Sequence, residues 1–354
     1  MKRSYLILFT LICSLNLFAQ GYKLPAYYSQ RELKAPVAVK EQLELMRTEI
    51  TAKNLKYQVG YTSVSEVPIE KLRGLRLPAT DEGKKISKTV RTDATRSGNQ
   101  GVNPDRLSKE ALNPYVYGNP KMKKLDLREA GFVTPVHDQK QFWSVCWAFA
   151  AADAYEISYK ILTKKTIDVS EQFVVDCSNA GDWTVGGNME KVFQWMISSR
   201  KNLAGEAAVP LVGPPSKCTG ASPATDYYAS DWGFVEYKPG SWYVDGIKEA
   251  ICTHGAIASA MVGDRYLLAY AGGEFSSVLT NDLDAFYNSK PLIGVAIIGW
   301  DDSIQCWLIK NSFGTDWGST CGYGTERGYM WVKYDSNAIG TWASWVQASQ
   351  TGLK

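Results

Sequence analysis

The sequence predicts an α+β protein in which a helical half precedes a β half. Residues 125–232 carry helical patterns, and the longest is the apolar run 148–162. Residues 233–354 change to short β-branched or aromatic runs bounded by Gly or Asp, which is typical of strands. With 354 residues, 45% of them hydrophobic, the chain can bury one large or two medium cores.

The helical half contains three expected helices. The longest starts at Cys146, and Ser170 is a suitable N-cap for a short second helix. Gly186 and Gly187 then interrupt the chain. The third helix, 188–199, carries its apolar residues on one side: Met189, Val192, Phe193 and Met196.

The β half contains a series of short expected strands. They cover residues 234–237, 256–262, 294–300, 306–310 and 329–334. Asp301 and Asp302 fall between two of these strands, so we expect a hairpin turn there rather than a pair of catalytic carboxylates. A binding cleft is expected where the helical and β halves meet.

Residues 1–19 have the features of a secretory signal peptide. Lys2 and Arg3 precede an apolar run over residues 5–18, and Ala19 closes it. The run is short for a membrane span, and no later stretch has the pattern of one. We therefore expect a secreted, periplasmic or extracellular protein, in a compartment where disulfides persist.

Two segments separate this leader from the helical half. Residues 20–78 include a helical pattern over 37–55 and an alternating run at 57–61, which predict a helix and a short strand. Residues 79–124 are polar with few apolar anchors, as in a linker, and should be easily cut by proteases. Residues 20–78 are interpreted as a propeptide-like segment or a small accessory domain.

Charge and cysteine spacing argue against several other classes of protein. The net charge of +3 gives no reason to expect binding to nucleic acid. No cysteines are closely paired as in a zinc site, and the chain has only two histidines, His137 and His254. We expect neither a metal nor another cofactor. The pairing of Cys252, Cys306 and Cys321 stays open.

Cys146 is the candidate nucleophile. At the first turn of a helix, the positive end of the helix dipole lowers a thiol pKa and favours the thiolate. Gln139, shortly upstream, could donate an N–H to a developing oxyanion. The alternative from these residues alone is a small buried cysteine that packs the helix.

Four motifs occur in order along the second part of the chain. They are residues 126–136, Cys146-Trp147-Ala148-Phe149, residues 170–177 and residues 307–318. Together they resemble the papain-like cysteine peptidases, the cathepsin family, over about residues 125–334. The resemblance implies a two-lobed fold, with a helical N-terminal lobe (about 125–232) and an antiparallel β-barrel-like C-terminal lobe (about 233–354). A peptide or protein substrate would lie in the cleft between the lobes.

The resemblance also assigns roles to individual positions. Cys146 takes the nucleophile position, Gln139 the oxyanion position and Asn311 the position that orients the catalytic His. A disulfide between Cys177 and Cys218 is implied. The positions implied to line the substrate site are Gly186, Gly187, Met189, Ala260, Leu292 and Trp317.

The chain departs from the family pattern at the catalytic His. That His stands six residues before a strand-ending Gly, here Gly299, and the residue at this position is Ile293. No His follows His254, so no realignment restores it. We expect His137 and His254 to be ordinary surface histidines. Without a His partner, the thiol pKa should return toward about 8.5.

The loop before Cys146 departs as well. Gln139 and Cys146 are seven residues apart, where the family has six. Phe142 and Thr184 stand where the family has a second disulfide, so both of its partners are missing. These changes fall beside the catalytic positions and add to the loss of the His.

Two main functions follow from the resemblance. The first is a secreted pseudopeptidase that binds a peptide but has lost peptide-bond hydrolysis. The second is a weak or non-standard cysteine endopeptidase that uses Cys146, with His137, Asp138 or a water as the base. A surface structural protein that uses the fold as a stable body is a third reading. Residues 20–78 would cover the cleft if they act as a propeptide.

Overall fold

The computed structural model describes residues 24–72, 74–76, 118–214, 216–218, 223–235, 244–277 and 291–352. The expected signal peptide and most of the linker lie outside the described residues, as does the second half of the expected strand at 234–237. The α-helices of the described residues are α1 (Ala26–Glu32), α2 (Val37–Ala52), α3 (Cys146–Thr163), α4 (Glu171–Cys177), α5 (Met189–Ser198), α6 (Val244–His254) and α7 (Arg265–Leu268).

The strands form one large sheet and one small ribbon. They are β1 (Lys56–Val59), β2 (Lys124–Asp126), β3 (Gly181–Asp182), β4 (Gly186–Gly187), β5 (Tyr228–Phe234), β6 (Ile257–Val262), β7 (Tyr270–Phe275), β8 (Leu292–Asp301), β9 (Cys306–Lys310), β10 (Tyr329–Lys333) and β11 (Thr341–Ser349). Within the described residues the large sheet runs β1-β7-β10-β9-β8-β6-β11-β5, with β2 paired to β8. Only β7 and β10 pair in parallel there, and β3 and β4 form the separate ribbon.

Helix α3 lies between two apolar cores. Its side chains are buried on every side from Cys146 to Tyr159, because this stretch is rich in alanine and aromatic residues all round. Trp147 and Phe149 belong to the core of the helical lobe, whereas Ile157 and Cys146 belong to the core of the β lobe. The expected α+β fold with two lobes is confirmed, and α3 places Cys146 at their junction.

The N-terminal block, residues 24–72, is part of the β lobe's core. Strand β1 pairs antiparallel with β7 and so forms one edge of the large sheet. Leu43, Met46 and Ile50 of α2 are buried in the same cluster as the β-lobe residues. Tyr57 packs its ring 4.9 Å from that of Phe275. The block therefore shares a hydrophobic core with the rest of the chain.

Several elements differ from the sequence expectations. Strand β5 begins at Tyr228, within the half expected to be helical. The sequence did not predict it because Asp231, Gly233 and a bulge in its pairing with β11 break the alternating pattern of a strand. Helix α6 lies within the expected β half and buries Ile247, Ala250 and Ile251 at helical spacing. No helix in the described part of the chain combines the length and apolarity needed to cross a membrane.

Candidate active site

Cys146 is the first residue of α3, and its thiol is buried. The residue is 1% exposed, and Sγ accepts a hydrogen bond from the backbone N–H of Gly294 at 3.2 Å. Burial raises the pKa of the Cys146 thiol to about 12, although nearby backbone N–H groups, Gly294 first among them, act to lower it. The pKa of this buried thiol is therefore higher than the value of about 8.5 expected from the sequence.

Ile293 immediately precedes this hydrogen-bond donor. It lies near the start of β8, opposite Met261 of β6, and is 1% exposed. Its side chain can neither accept nor donate a proton. The groups that act on the thiol pKa are backbone N–H groups, and no ionisable side chain of the described residues is among them.

The side-chain amide of Gln139 is held by its own loop and by Ser312. Its Oε1 accepts a hydrogen bond from the Ser312 hydroxyl at 2.6 Å, and its Nε2 donates to the carbonyl of Phe142 at 3.2 Å. Gln139 is fully buried. Gln139 Nε2, the donor expected to stabilise an oxyanion, is thus directed at the loop between Gln139 and Cys146.

Asn311 has only one of its two amide atoms satisfied. Its Oδ1 accepts from the backbone N–H of Ser312 at 2.8 Å. Its Nδ2 is buried and has no hydrogen-bond partner among the described residues. An orienting Asn accepts a hydrogen bond from the catalytic His through its Oδ1, whereas Oδ1 of Asn311 accepts from Ser312 and Ile293 stands at the position that the resemblance assigns to that His.

An aromatic contact takes the place of the missing disulfide. The ring of Phe142 meets that of Trp183, the neighbour of Thr184, edge to face at 5.4 Å. The Ser144 hydroxyl also donates to the Trp183 carbonyl at 2.5 Å. The loop reaches this arrangement through a left-handed residue, Lys140 (φ +54°), and a 3₁₀ turn at Trp143–Val145. The implied disulfide between Cys177 and Cys218 is present.

His137 lies in a cluster of acidic residues, so the expectation of an ordinary surface histidine is wrong. Its Nδ1 is 3.2 Å from Glu171 Oε1, and its Nε2 is 3.4 Å from Asp168 Oδ1. Burial would lower the pKa of His137, but the contact with Glu171 and the charge of Glu156 raise it to about 10, against the opposing charge of Lys310. His137 is therefore a cation near neutral pH.

The position of this cluster along α3 argues against His137 as the base for Cys146. His137 Nδ1 is 4.0 Å from Asp153 Oδ1. Asp153 follows Cys146 by seven residues on α3, which is two helical turns or about 10.5 Å. The sequence alone could not predict this cluster, because its acidic residues come from α3, α4 and the loop between them.

The same cluster offers metal-type donors, but a lysine already occupies it. Single donor atoms of His137, Asp153 and Glu156 lie within 4.8 Å of one another. The buried Lys310 places its Nζ 2.7 Å from Asp153 Oδ1. Burial raises the pKa of Glu156 to about 7. We interpret the cluster as an internal ion network.

His254 also differs from an ordinary surface histidine. Its ring stacks on that of Trp345 with centroids 3.7 Å apart, and burial lowers its pKa to about 4. Its Nδ1 lies 3.4 Å from Gln347 Oε1. It stands at the end of α6, away from the start of α3.

Residues 74–76 lie in the cleft directly over Cys146. The Gly187 N–H donates to the Gly74 carbonyl and the Arg76 N–H donates to the Gly187 carbonyl, both at 3.1 Å, so that Leu75 bridges Gly187 in parallel. On the other side, the Gly74 N–H donates to the Leu292 carbonyl at 3.2 Å. A Cβ added at Gly74 would lie 2.0 Å from Cys146 Sγ. The segment therefore spans both lobes across the thiol.

A family model described as papain family cysteine protease matches residues 121–346. The chain belongs to this family. Cathepsin L2 from Homo sapiens is 32% identical over 225 residues, which is 61% of each chain. The cysteine protease Amb a 11.0101 from Ambrosia artemisiifolia is 32% identical over 241 residues, 66% of this chain and 56% of the relative. The papain-family chain thus matches about three-fifths of the length of these curated relatives.

Solved proforms share the fold. A ragweed Amb a 11 cysteine protease in its proform aligns with a TM-score of 0.61 and 21% identity, covering 90% of this chain and 92% of that one. Procathepsin L2 from the Tenebrio molitor larval midgut aligns with a TM-score of 0.63 and 21% identity, covering 96% and 99%. Both similarities extend well beyond the family-model match.

The papain-family cleft brings together some of the expected substrate positions. Leu75 packs against a small cluster that includes Ala260 and Leu292, and its neighbour Gly74 bonds Gly187. Met189 and Gly186 are buried beside this point. Trp317, by contrast, is fully buried in the β-lobe core, where its Nε1 donates to the Leu267 carbonyl at 2.8 Å. Sequence reasoning did not identify Val262, Ala338 and Trp342, which complete the cluster.

Proposed function

We propose that this papain-family protein holds a peptide segment in its interlobe cleft and does not hydrolyse peptide bonds. The observation that carries the proposal is the contact between Cys146 Sγ and the Gly294 N–H, with Ile293 as the preceding residue. At this place the resemblance requires a His. The chain keeps the nucleophile position and the groove but has an aliphatic side chain in place of the base.

The chemistry explains why this change affects hydrolysis more than binding. Attack needs a thiolate, and the buried Cys146 thiol has a pKa raised to about 12. Departure of the amine needs a proton from a general acid, and Ile293 has none to give. Gln139 Nε2 bonds the Phe142 carbonyl instead of standing free for an oxyanion. Binding requires only the groove, which still holds residues 74–76.

A second candidate function is a weak cysteine endopeptidase. The retention of Cys146, Gln139 and Asn311 in the sequence favours it. His137 is committed to Glu171 and Asp168, so it does not supply the base. Asp138 is exposed and accepts a hydrogen bond from the Lys140 N–H at 2.7 Å, which leaves Asp138 or a water as the base of this alternative.

The N-terminal block has the role of an intramolecular cover in this proposal. Its α2 and β1 share the β-lobe core, and residues 74–76 extend from it into the cleft. The fold similarity to two proforms supports a propeptide-like role for residues 20–78. The polar linker 79–124 would then allow a cut that leaves the block in place. The apolar leader and the disulfide between Cys177 and Cys218 support secretion.

Peptide hydrolysis tests the proposal. The full chain, intact and after limited proteolysis of the linker, is incubated with a peptide pool beside its Cys146→Ala and Ile293→His variants. We expect no difference between the unmodified and Cys146→Ala chains. Cleavage that disappears with Cys146→Ala would refute the loss of hydrolysis. A gain in Ile293→His alone would identify the missing base as the only defect, and no gain would implicate the loop 140–145 as well.

A further inference from the structure

Lys310 and Asp153 form an ion pair inside the molecule. Lys310 Nζ donates to Asp153 Oδ1 at 2.7 Å, and the two side chains are 0% and 3% exposed. Lys310 is the last residue of β9, and Asp153 lies near the middle of α3, 157 positions earlier in the chain. The pair therefore joins a strand of the β lobe to the helix that lies between the two cores.

The surroundings of this pair exclude most water. Strand β9 is buried along its whole length, and Ala152 and Ala154, the neighbours of Asp153, are buried as well. Taking two charges out of water costs free energy, and their mutual attraction in the interior only roughly offsets that cost. A reaction that removes both charges and releases a water molecule is therefore more favourable here than at the surface.

A chain of hydrogen bonds leads from the lysine to a second carboxyl group. Lys310 Nζ also donates to Thr134 Oγ1 at 3.0 Å, and Thr134 Oγ1 donates to Glu156 Oε2 at 2.6 Å. Glu156 is fully buried one helical turn after Asp153, and donor atoms of the two carboxyl groups lie within 4.8 Å of each other. Burial raises the pKa of Glu156 to about 7, so its carboxyl group can take up and return a proton near neutral pH.

We propose that Lys310 and Asp153 condense to an intramolecular amide bond, which links β9 covalently to α3 in the folded chain. The ion pair with its hydrogen bonds to Thr134 and Glu156 is the precursor of this bond. The inference goes beyond the proposed function and does not depend on it, since Asp153 lies two helical turns from Cys146.

The atoms of this step balance without an oxidant or a further reactant. One proton of the Lys310 ammonium group passes along its hydrogen bond to Asp153 Oδ1, which leaves a neutral amine beside a neutral carboxyl group. Nζ then bonds to Asp153 Cγ, and a second proton passes through the Thr134 hydroxyl to Glu156. Glu156 returns this proton to the departing hydroxyl group, so that one water molecule leaves and an amide N–H remains.

Mass spectrometry of the full chain, reduced and denatured, tests the proposal. We expect the unmodified chain to be lighter than its sequence by one water molecule. Trypsin cuts after a free lysine and not after an acylated one. Digestion should therefore yield no peptide that ends at Lys310 and one branched peptide that contains both Lys310 and Asp153.

Substitutions at the two reacting positions identify the bond. Asp153→Asn should give a branched peptide of the same mass, because its amide loses ammonia where the carboxyl group loses water. Asp153→Ala and Lys310→Met, prepared in the same way, should keep the full mass of their sequences. The unmodified chain and Asp153→Asn keep the size of the buried side chains, so the test does not depend on the folding of the other two variants.

The hydrogen-bond chain is tested by the rate at which the bond forms in freshly prepared protein. Glu156→Gln and Thr134→Val should slow its formation by about a hundredfold, since each interrupts the path of the second proton. Asp168→Asn is the matched control, because its carboxyl group belongs to the same cluster and contacts His137. Equal rates in Glu156→Gln and Asp168→Asn would refute the role given to Glu156.

Two results would overturn the proposal itself. If the unmodified chain has the full mass of its sequence and trypsin cuts it after Lys310, the pair stays ionic and no bond forms. If the chain is lighter by one water molecule but Lys310→Met is lighter by the same amount, the water is lost elsewhere in the chain.

Discussion

The Gly294 N–H donates to Cys146 Sγ across 3.2 Å, and this contact fixes which residue stands beside the thiol. The preceding residue of β8 is Ile293, which stands at the position that the resemblance assigns to the catalytic His. Gly294 has no Cβ, which allows this approach: an added Cβ would lie 3.1 Å from the Cys146 carbonyl oxygen and 3.2 Å from Trp147 Cα. The proposed loss of hydrolysis rests on this contact and on the residue that precedes Gly294.

A side chain at position 74 should uncover the thiol. In Gly74→Ala the new Cβ would lie 2.0 Å from Cys146 Sγ, so the segment has to move away. We expect alkylation of Cys146 to rise at least about tenfold, measured by mass spectrometry of the full chain. Gly205→Ala is the matched control, because its Cβ would meet its nearest atom at 3.5 Å. Equal rates in the two variants would contradict a closed cleft.

The aromatic contact in the inserted loop should contribute to stability. Phe142 is half-buried against Trp183, so Phe142→Ala should lower the free energy of unfolding by about 1–3 kcal/mol, less than for a fully buried ring. Chemical denaturation measures this loss.

Gly213, which lies against the Phe142 ring, allows a double-mutant control on the packing of Phe142. A Cβ at Gly213 would lie 2.2 Å from the Phe142 ring, and its φ is +79°. Gly213→Ala should therefore cost more in the unmodified chain than beside Phe142→Ala, where only the backbone strain remains. Strictly additive losses would show that Phe142 does not fill the space above Gly213.

The ion network should make stability depend on pH through His137. Its folded pKa of about 10 exceeds the value near 6.5 expected in the unfolded chain, so its contribution is full below pH 6.5 and is lost as the pH rises through 10. The loss of unfolding free energy in His137→Gln should therefore be largest at pH 6 and shrink by pH 10, as measured by denaturation at several pH values.

His254 provides the control of opposite sign. Its folded pKa of about 4 lies below the unfolded value, so its contribution is present above pH 6.5 and is lost as the pH falls through 4. The effect of His254→Gln should be constant between pH 7 and 10. A His137→Gln effect that is equally constant over that range would contradict the ion pair with Glu171.

The order of motifs was sufficient to predict the two-lobed fold. The assignment of Ile293 to the position of the catalytic His stays a prediction. Local sequence could not reveal the environment of His137, since its acidic neighbours come from α3, α4 and the loop between them. The placement of residues 74–76 in the cleft could not be predicted from the sequence either. Leu75 reaches its pocket through hydrogen bonds of its neighbours to Gly187 and Leu292, which only tertiary structure brings together.

Strand β11 shows a further limit of sequence patterns. A register shift between Thr341 and Ser344 breaks the period-two alternation, so the strand and the role of Trp342 were not predicted. Helix α6 was missed for a different reason: its apolar positions Ile247, Ala250 and Ile251 are few and lie within a half dominated by strand signals.

The pH dependence of alkylation at Cys146 tests the central claim most directly, because it measures whether the thiol has a base partner. It is best measured in the full-length Gly74→Ala chain, in which residues 74–76 no longer cover the thiol. We predict a rate that rises with pH in a single step above about 8.5, with no reactive thiolate at pH 5. A rate already high and constant between pH 5 and 8 would reveal a thiolate held by a cation, and would contradict the loss of the catalytic base at Ile293.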